Sequence, residues 1–124
     1  MLIDSNIFVD LLKGKTIAKK FLQKENNLST SIIVLMEIIA GFSSKKQIEE
    51  FQELINNLNI HIYQINEIIS VTAYHLFASN YHRCHVGVAD AFIAATAVCN
   101  HEKLATLNIK HFKILPEIEV IKPY

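Results

Sequence analysis

Asp4, Glu37 and Asp90 are carboxylates set inside apolar runs. Asp4 closes Met1-Leu2-Ile3, and Glu37 splits Ile32-Ile33-Val34-Leu35-Met36 from Ile38-Ile39-Ala40. Asp90 divides Val86-Gly87-Val88-Ala89 from Ala91-Phe92-Ile93-Ala94-Ala95. An isolated charge buried in such surroundings costs on the order of several kcal/mol unless a cation or hydrogen bonds compensate it. No lysine or arginine lies within these runs, and two of the chain's three aspartates fall in them. The economical reading is one shared cation, a hard divalent metal reached by acids from distant parts of the chain. Oxygen-only ligation selects Mg²⁺ or Mn²⁺ over zinc. The chemistry that asks for such a set is phosphodiester hydrolysis, in which the ion acidifies water and neutralises charge building on the phosphate.

The elements that would carry these acids are legible in the apolar spacing. Met1 to Asp4 reads as a short buried strand, after which Ser5 or Asn6 caps a helix that runs to about Leu12 and ends at Gly14. Ile17, Phe21 and Leu22 give a second helical segment, and Leu28 to Ser31 a second strand. Ile32 to Phe42 is apolar almost all round, which predicts a buried helix. Ile48, Phe51, Ile55 and Leu58 mark an amphipathic helix with Lys and Glu on its other face. Ile60 to Ile65 reads as a strand, Asn66 to His82 and Val88 to Asn100 as helices, and Lys103 to Leu107 and Ile118 to Ile121 as closing strands. Short strands alternating with helices predict an α/β fold of three layers, α/β/α, around a short and mainly parallel sheet. Ligands bind such sheets at the carboxyl ends of the strands, where Asp4 falls.

A chain of 124 residues is expected to make one domain, 1–124, with a single core. The apolar fraction of 51% leaves surface to spare for a partner or a homodimer interface. Eleven lysines and Arg83 balance twelve acids, so nucleic-acid binding would need a local patch rather than bulk charge. Cys84 and Cys99 make no disulfide framework, and no signal-peptide pattern or membrane-length apolar run is present; a cytoplasmic location is expected.

Leu2-Ile3-Asp4-Ser5-Asn6, Met36-Glu37-Ile38-Ile39-Ala40-Gly41 and Val88-Ala89-Asp90-Ala91-Phe92-Ile93-Ala94-Ala95, closed by Leu104-Ala105-Thr106-Leu107-Asn108-Ile109-Lys110-His111-Phe112, resemble the motifs of the PIN-domain ribonucleases. Within them the chain is most similar to the VapC-type toxins of toxin–antitoxin pairs, in order and spacing over its whole length. The resemblance implies an Mg²⁺- or Mn²⁺-dependent endoribonuclease that leaves 5′-phosphate and 3′-hydroxyl ends and is inhibited by a cognate antitoxin. It implies that Asp4 and Asp90 ligate the metal, while Glu37 binds it or orients the attacking water. Ser5 would stand near the metal's water shell or the scissile phosphate, and Asn6 would brace the loop. Thr106 and Asn108 would line the site. The family often carries a fourth acid where this chain has Asn108, which makes a tightly held second ion less expected.

Blander roles compete with these. Asp4, Ser5 and Asn6 suit a helix cap, Glu37 a lysine-paired structural acid, and Asp90 a first-turn acid favoured by the helix dipole. Asp10 is expected on the solvated face of the first helix. His82, Cys84 and His85 are too compressed for a usual zinc motif. Arg83 and His85, with Lys110 and His111, are candidates for contacting RNA. A housekeeping RNA-processing nuclease of the same fold and a non-catalytic interaction module are the alternative functions.

Overall fold

Leu2–Ile3 forms β1, the middle strand of a five-stranded sheet in a computed structural model that describes residues 1–124. The other strands are β2 (Ser29–Ser31), β3 (His61–Tyr63), β4 (Leu104–Ala105) and β5 (Val120–Ile121). Their order is β3-β2-β1-β4-β5, and every pairing is parallel. Leu2 pairs with both Ser29 and Leu104, and Ile3 with Ala105. Strand order therefore reverses at β1 and β4, the switch point at which a crevice opens beyond the strand ends.

Each crossover is helical. Ser5–Leu12 (α1) and Thr16–Lys24 (α2) follow β1, and Ile32–Ala40 (α3) and Lys45–Asn57 (α4) follow β2. Glu67–Cys84 (α5) and Val88–Cys99 (α6) follow β3, and the single turn Ile109–Phe112 (α7) follows β4. Right-handed crossovers put the helices that follow β1 and β2 on one face and those that follow β3 and β4 on the other. The strands are so short that α3 also meets α6 past the sheet. That contact brings the two acid-bearing helices to one end of the molecule.

The core is continuous from sheet to helices, built on Leu2, Ile3, Ile7, Phe8, Val34, Phe51, Ile69, Ile93, Leu104 and Phe112, all buried. Alanines of α6, among them Ala91, Ala94, Ala95 and Ala97, let it lie close to α5. Caps fix the helix ends: Ser31 caps α3, Ser44 and Gln47 form a reciprocal capping box on α4, and Asn66 caps α5. Gly14, at φ +78°, takes the left-handed backbone that ends α1. No helix is long and apolar enough to cross a membrane.

Three sequence expectations need correction. The cap of α1 is Asp4 itself, whose carboxylate accepts from Ser5 N, rather than Ser5 or Asn6. The helix α3 is not buried all round, since Met36 is 59% exposed and Glu37 and Ala40 face solvent. Asp10 is buried rather than solvated: Lys15 Nζ stands 2.8 Å from one oxygen and Tyr124 Oη donates to the other at 3.0 Å. The tail folds back on α1 and supplies a partner that no local pattern reveals. The helix α7 has no sequence counterpart either, because one turn carries no period.

Candidate metal centre

The three acids arrive on three elements. Asp4 leaves β1, Glu37 projects from the middle of α3, and Asp90 sits in the first turn of α6. Their surroundings differ more than the apolar runs suggest. Only Asp4 is fully buried; Asp90 is half-buried, and Glu37 is exposed at the rim. The expected burial of all three is therefore corrected to a graded site, sealed at the strand end and open where α3 and α6 meet solvent.

Asp4 is held by donors. Ser5 N donates to Oδ1 at 2.7 Å, with Ser5 Oγ at 3.4 Å, while Asn6 Nδ2 and Thr106 Oγ1 donate to Oδ2 at 3.1 and 2.6 Å. These bonds compensate a carboxylate that is only 3% exposed. Thr106 is fully buried, and its Oγ1 also accepts from Asn6 Nδ2 and from Asn108 N, each at 3.0 Å. Asn6 Oδ1 accepts from Leu107 N at 3.1 Å, so Asn6 braces the β4–α7 loop against the first turn of α1. Asn108 is exposed, and its backbone N–H is the group tied into this lattice.

Asp90 faces His111 of α7, whose Nε2 is 3.0 Å from Asp90 Oδ2. Partial burial pushes the Asp90 carboxyl up, His111 pulls it down and Asp4 raises it again, for a net rise. The Glu37 carboxyl is raised too, first by partial loss of solvent and then by Asp4 and Asp90. Although Glu37 is exposed as a residue, its carboxyl feels both neighbours. None of the three acids forms an ion pair with lysine or arginine.

No three His, Cys, Asp or Glu side chains stand gathered in metal-ligating geometry. Asp4, Glu37 and Asp90 share a field without forming a closed cage. As a donor set they fit a hard divalent cation: all are oxygen ligands, they act on one another as like charges, and they lie at the switch point.

The remaining sequence candidates scatter. Lys110 and His111 lie on α7 beside the acids. Arg83 is engaged elsewhere, with its Nη2 donating to Asn80 Oδ1 and, at 2.9 Å, to Ile114 O. His85 ends α5 in the left-handed region at φ 49°, edge-on to Tyr81. Sequence reasoning missed Lys113 and Lys122, which share a cavity with Lys110 and His111. No local signal marked them, because Lys122 meets the others only where α7 folds against β5.

The five parallel strands in the order β3-β2-β1-β4-β5, wrapped by helices, define an α/β domain of a known class. The family model for the PIN domain matches residues 1–117. The ribonuclease VapC10 of Mycobacterium tuberculosis is 30% identical over 128 residues, covering 99% of this chain and 91% of that protein. A toxin–antitoxin complex from Klebsiella pneumoniae contains a chain 28% identical, with a TM-score of 0.77 and coverage of 99% and 97%. The VapBC2 structure from Rickettsia felis, bound to a promoter DNA fragment, shares the fold at a TM-score of 0.83 and 23% identity, covering 97% and 96%. The chain belongs to the PIN-domain family, among the VapC ribonucleases.

Proposed function

We propose that this chain is a Mg²⁺- or Mn²⁺-dependent endoribonuclease, the toxin of a toxin–antitoxin pair, restrained in the cytoplasm by a cognate antitoxin. The observation that carries the reading is that α3 and α6, the helices that bear Glu37 and Asp90, meet at the strand-order reversal where Asp4 leaves β1. Above their raised titration range, carboxylates that repel one another are relieved by a divalent cation. The relatives named above as ribonucleases and as part of a toxin–antitoxin complex support the activity and the partner.

Asp4 and Asp90 would hold the ion and Glu37 would bind it or orient water. The bound cation supplies Lewis acidity, lowering the pKa of water and neutralising charge on the phosphate. The chain's own residues do the rest. Thr106 and Asn6 fix the Asp4 carboxylate through Oδ2, so the ion would be taken by Oδ1, where the longer contact of Ser5 Oγ, 3.4 Å, would give way. Glu37, exposed at the rim, would accept a proton from water as that water attacks phosphorus, while the bond to the 3′ ribose oxygen breaks and that oxygen takes a proton from solvent. Ser5, whose hydroxyl lies 3.4 Å from Asp4 Oδ1, would stand near the ion's water shell or the scissile phosphate. Exposed apolar residues on α5, Ile68, Val71 and Tyr74, support a homodimer.

A brief pulse of expression, followed by sequencing of cellular RNA ends, tests the reading. New 5′-phosphate ends and growth arrest, both suppressed by co-expressing the neighbouring antitoxin gene, are expected. Arrest with intact RNA would remove it.

A further inference from the structure

A cavity of about 740 Å³ opens beside the acids, between α7 and β5. Lys110, Lys113 and Lys122 line it with Asn108, His111 and three apolar side chains, and no carboxylate does. In a chain whose formal charges cancel, this is a local concentration of one sign. Lys15, Lys45, Lys46 and Lys103 each pair with an acid, whereas these three lysines join no ion pair. The cavity is continuous with the acid site. His111 lies on its wall and reaches Asp90, and Asn108 N donates to the Thr106 hydroxyl that holds Asp4.

Building on the ribonuclease reading, we propose that this cavity seats a backbone phosphate of the RNA next to the scissile one, with Lys113 and Lys122 as substrate-positioning residues. An ammonium on a flexible stem is a point charge that follows a phosphate without reading the base. Divided in this way, the acids take the reacting phosphate with its cation, and the lysines hold the neighbouring one. An acidic peptide is the less suitable occupant, because the cavity offers lysine point charges and no arginine fork to take a carboxylate in two bonds. The apolar groove between α3 and α4, lined by Met36, Ile39, Phe51 and Ile55, is a different surface.

The test compares the full chain with Lys113→Gln/Lys122→Gln, both at exposed positions. Binding of a single-stranded oligoribonucleotide is measured in chelator across a salt series, and cleavage is measured separately with Mn²⁺. The double variant is expected to bind several-fold more weakly whatever the sequence, with a salt slope smaller by about 1.4, two contacts at about 0.7 each. In cleavage its KM rises while kcat stays within about twofold. Lys45→Gln/Lys46→Gln on α4 is the control and leaves affinity and slope unchanged. Equal affinity and slope in the Lys113/Lys122 variant overturns the proposal. So does an equal loss in the control, or undiminished RNA binding alongside lost binding of a polyglutamate peptide. Lysine-dependent RNA binding by a wild-type protein that never cleaves would remove the ribonuclease reading and leave the cavity assignment standing.

Discussion

Thr106 Oγ1 donates to Asp4 Oδ2 across 2.6 Å, joining the loop that leaves β4 to the one that leaves β1. These two strands flank the point where strand order reverses, so the bond closes the floor of the crevice. Thr106→Val keeps the shape and removes the donor. It is expected to destabilise the fold by about 1.5–3 kcal/mol, the range for a hydrogen bond to a charged group, and to lower cleavage about tenfold or more through a loosened Asp4. Thr106→Ser should restore most of both. Urea unfolding and initial rates on one RNA substrate separate the two effects.

Glu37 stands among like charges, and its raised carboxyl gives the sign of its effect on folding. A carboxyl whose folded pKa lies above its unfolded value binds more protons in the native state, so stability falls as pH rises from the ordinary carboxylate value of 4.5 through the raised one. Glu37→Gln removes that repulsion. In chelator at neutral pH the variant should be slightly more stable than wild type, by at most about 0.5 kcal/mol at this exposed position, and its cleavage should be impaired. Thermal melts at pH 4 and pH 7 check the direction, with the difference shrinking at the lower pH.

Asp10 has the opposite sign. Lys15 and Tyr124 outweigh its burial and hold its carboxyl below the usual 3.8, so its stabilisation is present above 3.8 and disappears as pH falls through the lowered value. Tyr124 is the reciprocal partner, its phenol pushed up to about 12 by burial and by the Asp10 carboxylate. Ultraviolet titration should show a tyrosinate forming near pH 12 that is absent in Tyr124→Phe. Asp10→Ala is expected to cost about 1.5–3 kcal/mol and to flatten acid unfolding below pH 4, as measured by circular dichroism.

Asn108 stands where the family often has an acid, and its side chain is exposed beside the Thr106 lattice. Asn108→Asp adds a carboxylate to the acid set and should bind a second Mn²⁺, or bind Mn²⁺ more tightly in one step. Titration calorimetry distinguishes these from an unchanged isotherm, which would show that position 108 does not face the ion.

Much of this arrangement was legible in the chain. Apolar spacing located the strands and all the longer helices, and the acid-bearing motifs located Asp4, Glu37 and Asp90. What the spacing could not show was exposure. Glu37 sits in an apolar run, but Met36, Glu37 and Ala40 are exposed on α3, because one side of the helix faces solvent and the other the core. Long-range partners were equally hidden. Tyr124 reaches Asp10 across 114 positions, and Asn6 reaches Thr106 across 100. The lysine cavity depends on α7, a single turn with no periodic signature, folding against β5.

Asp4 and Asp90 are proposed to hold the cation that drives RNA cleavage. The direct measurement is the initial rate of cleavage of one defined RNA in Mn²⁺ by wild type, Asp4→Asn and Asp90→Asn, each freed of contaminating nucleases and shown to be folded. Cleavage by wild type that chelation abolishes is expected, with a fall of at least about a hundredfold in each variant, since even groups that only support metal ligands are worth 10–100-fold. Wild-type cleavage that survives chelation, or either variant cutting at the wild-type rate, would contradict it.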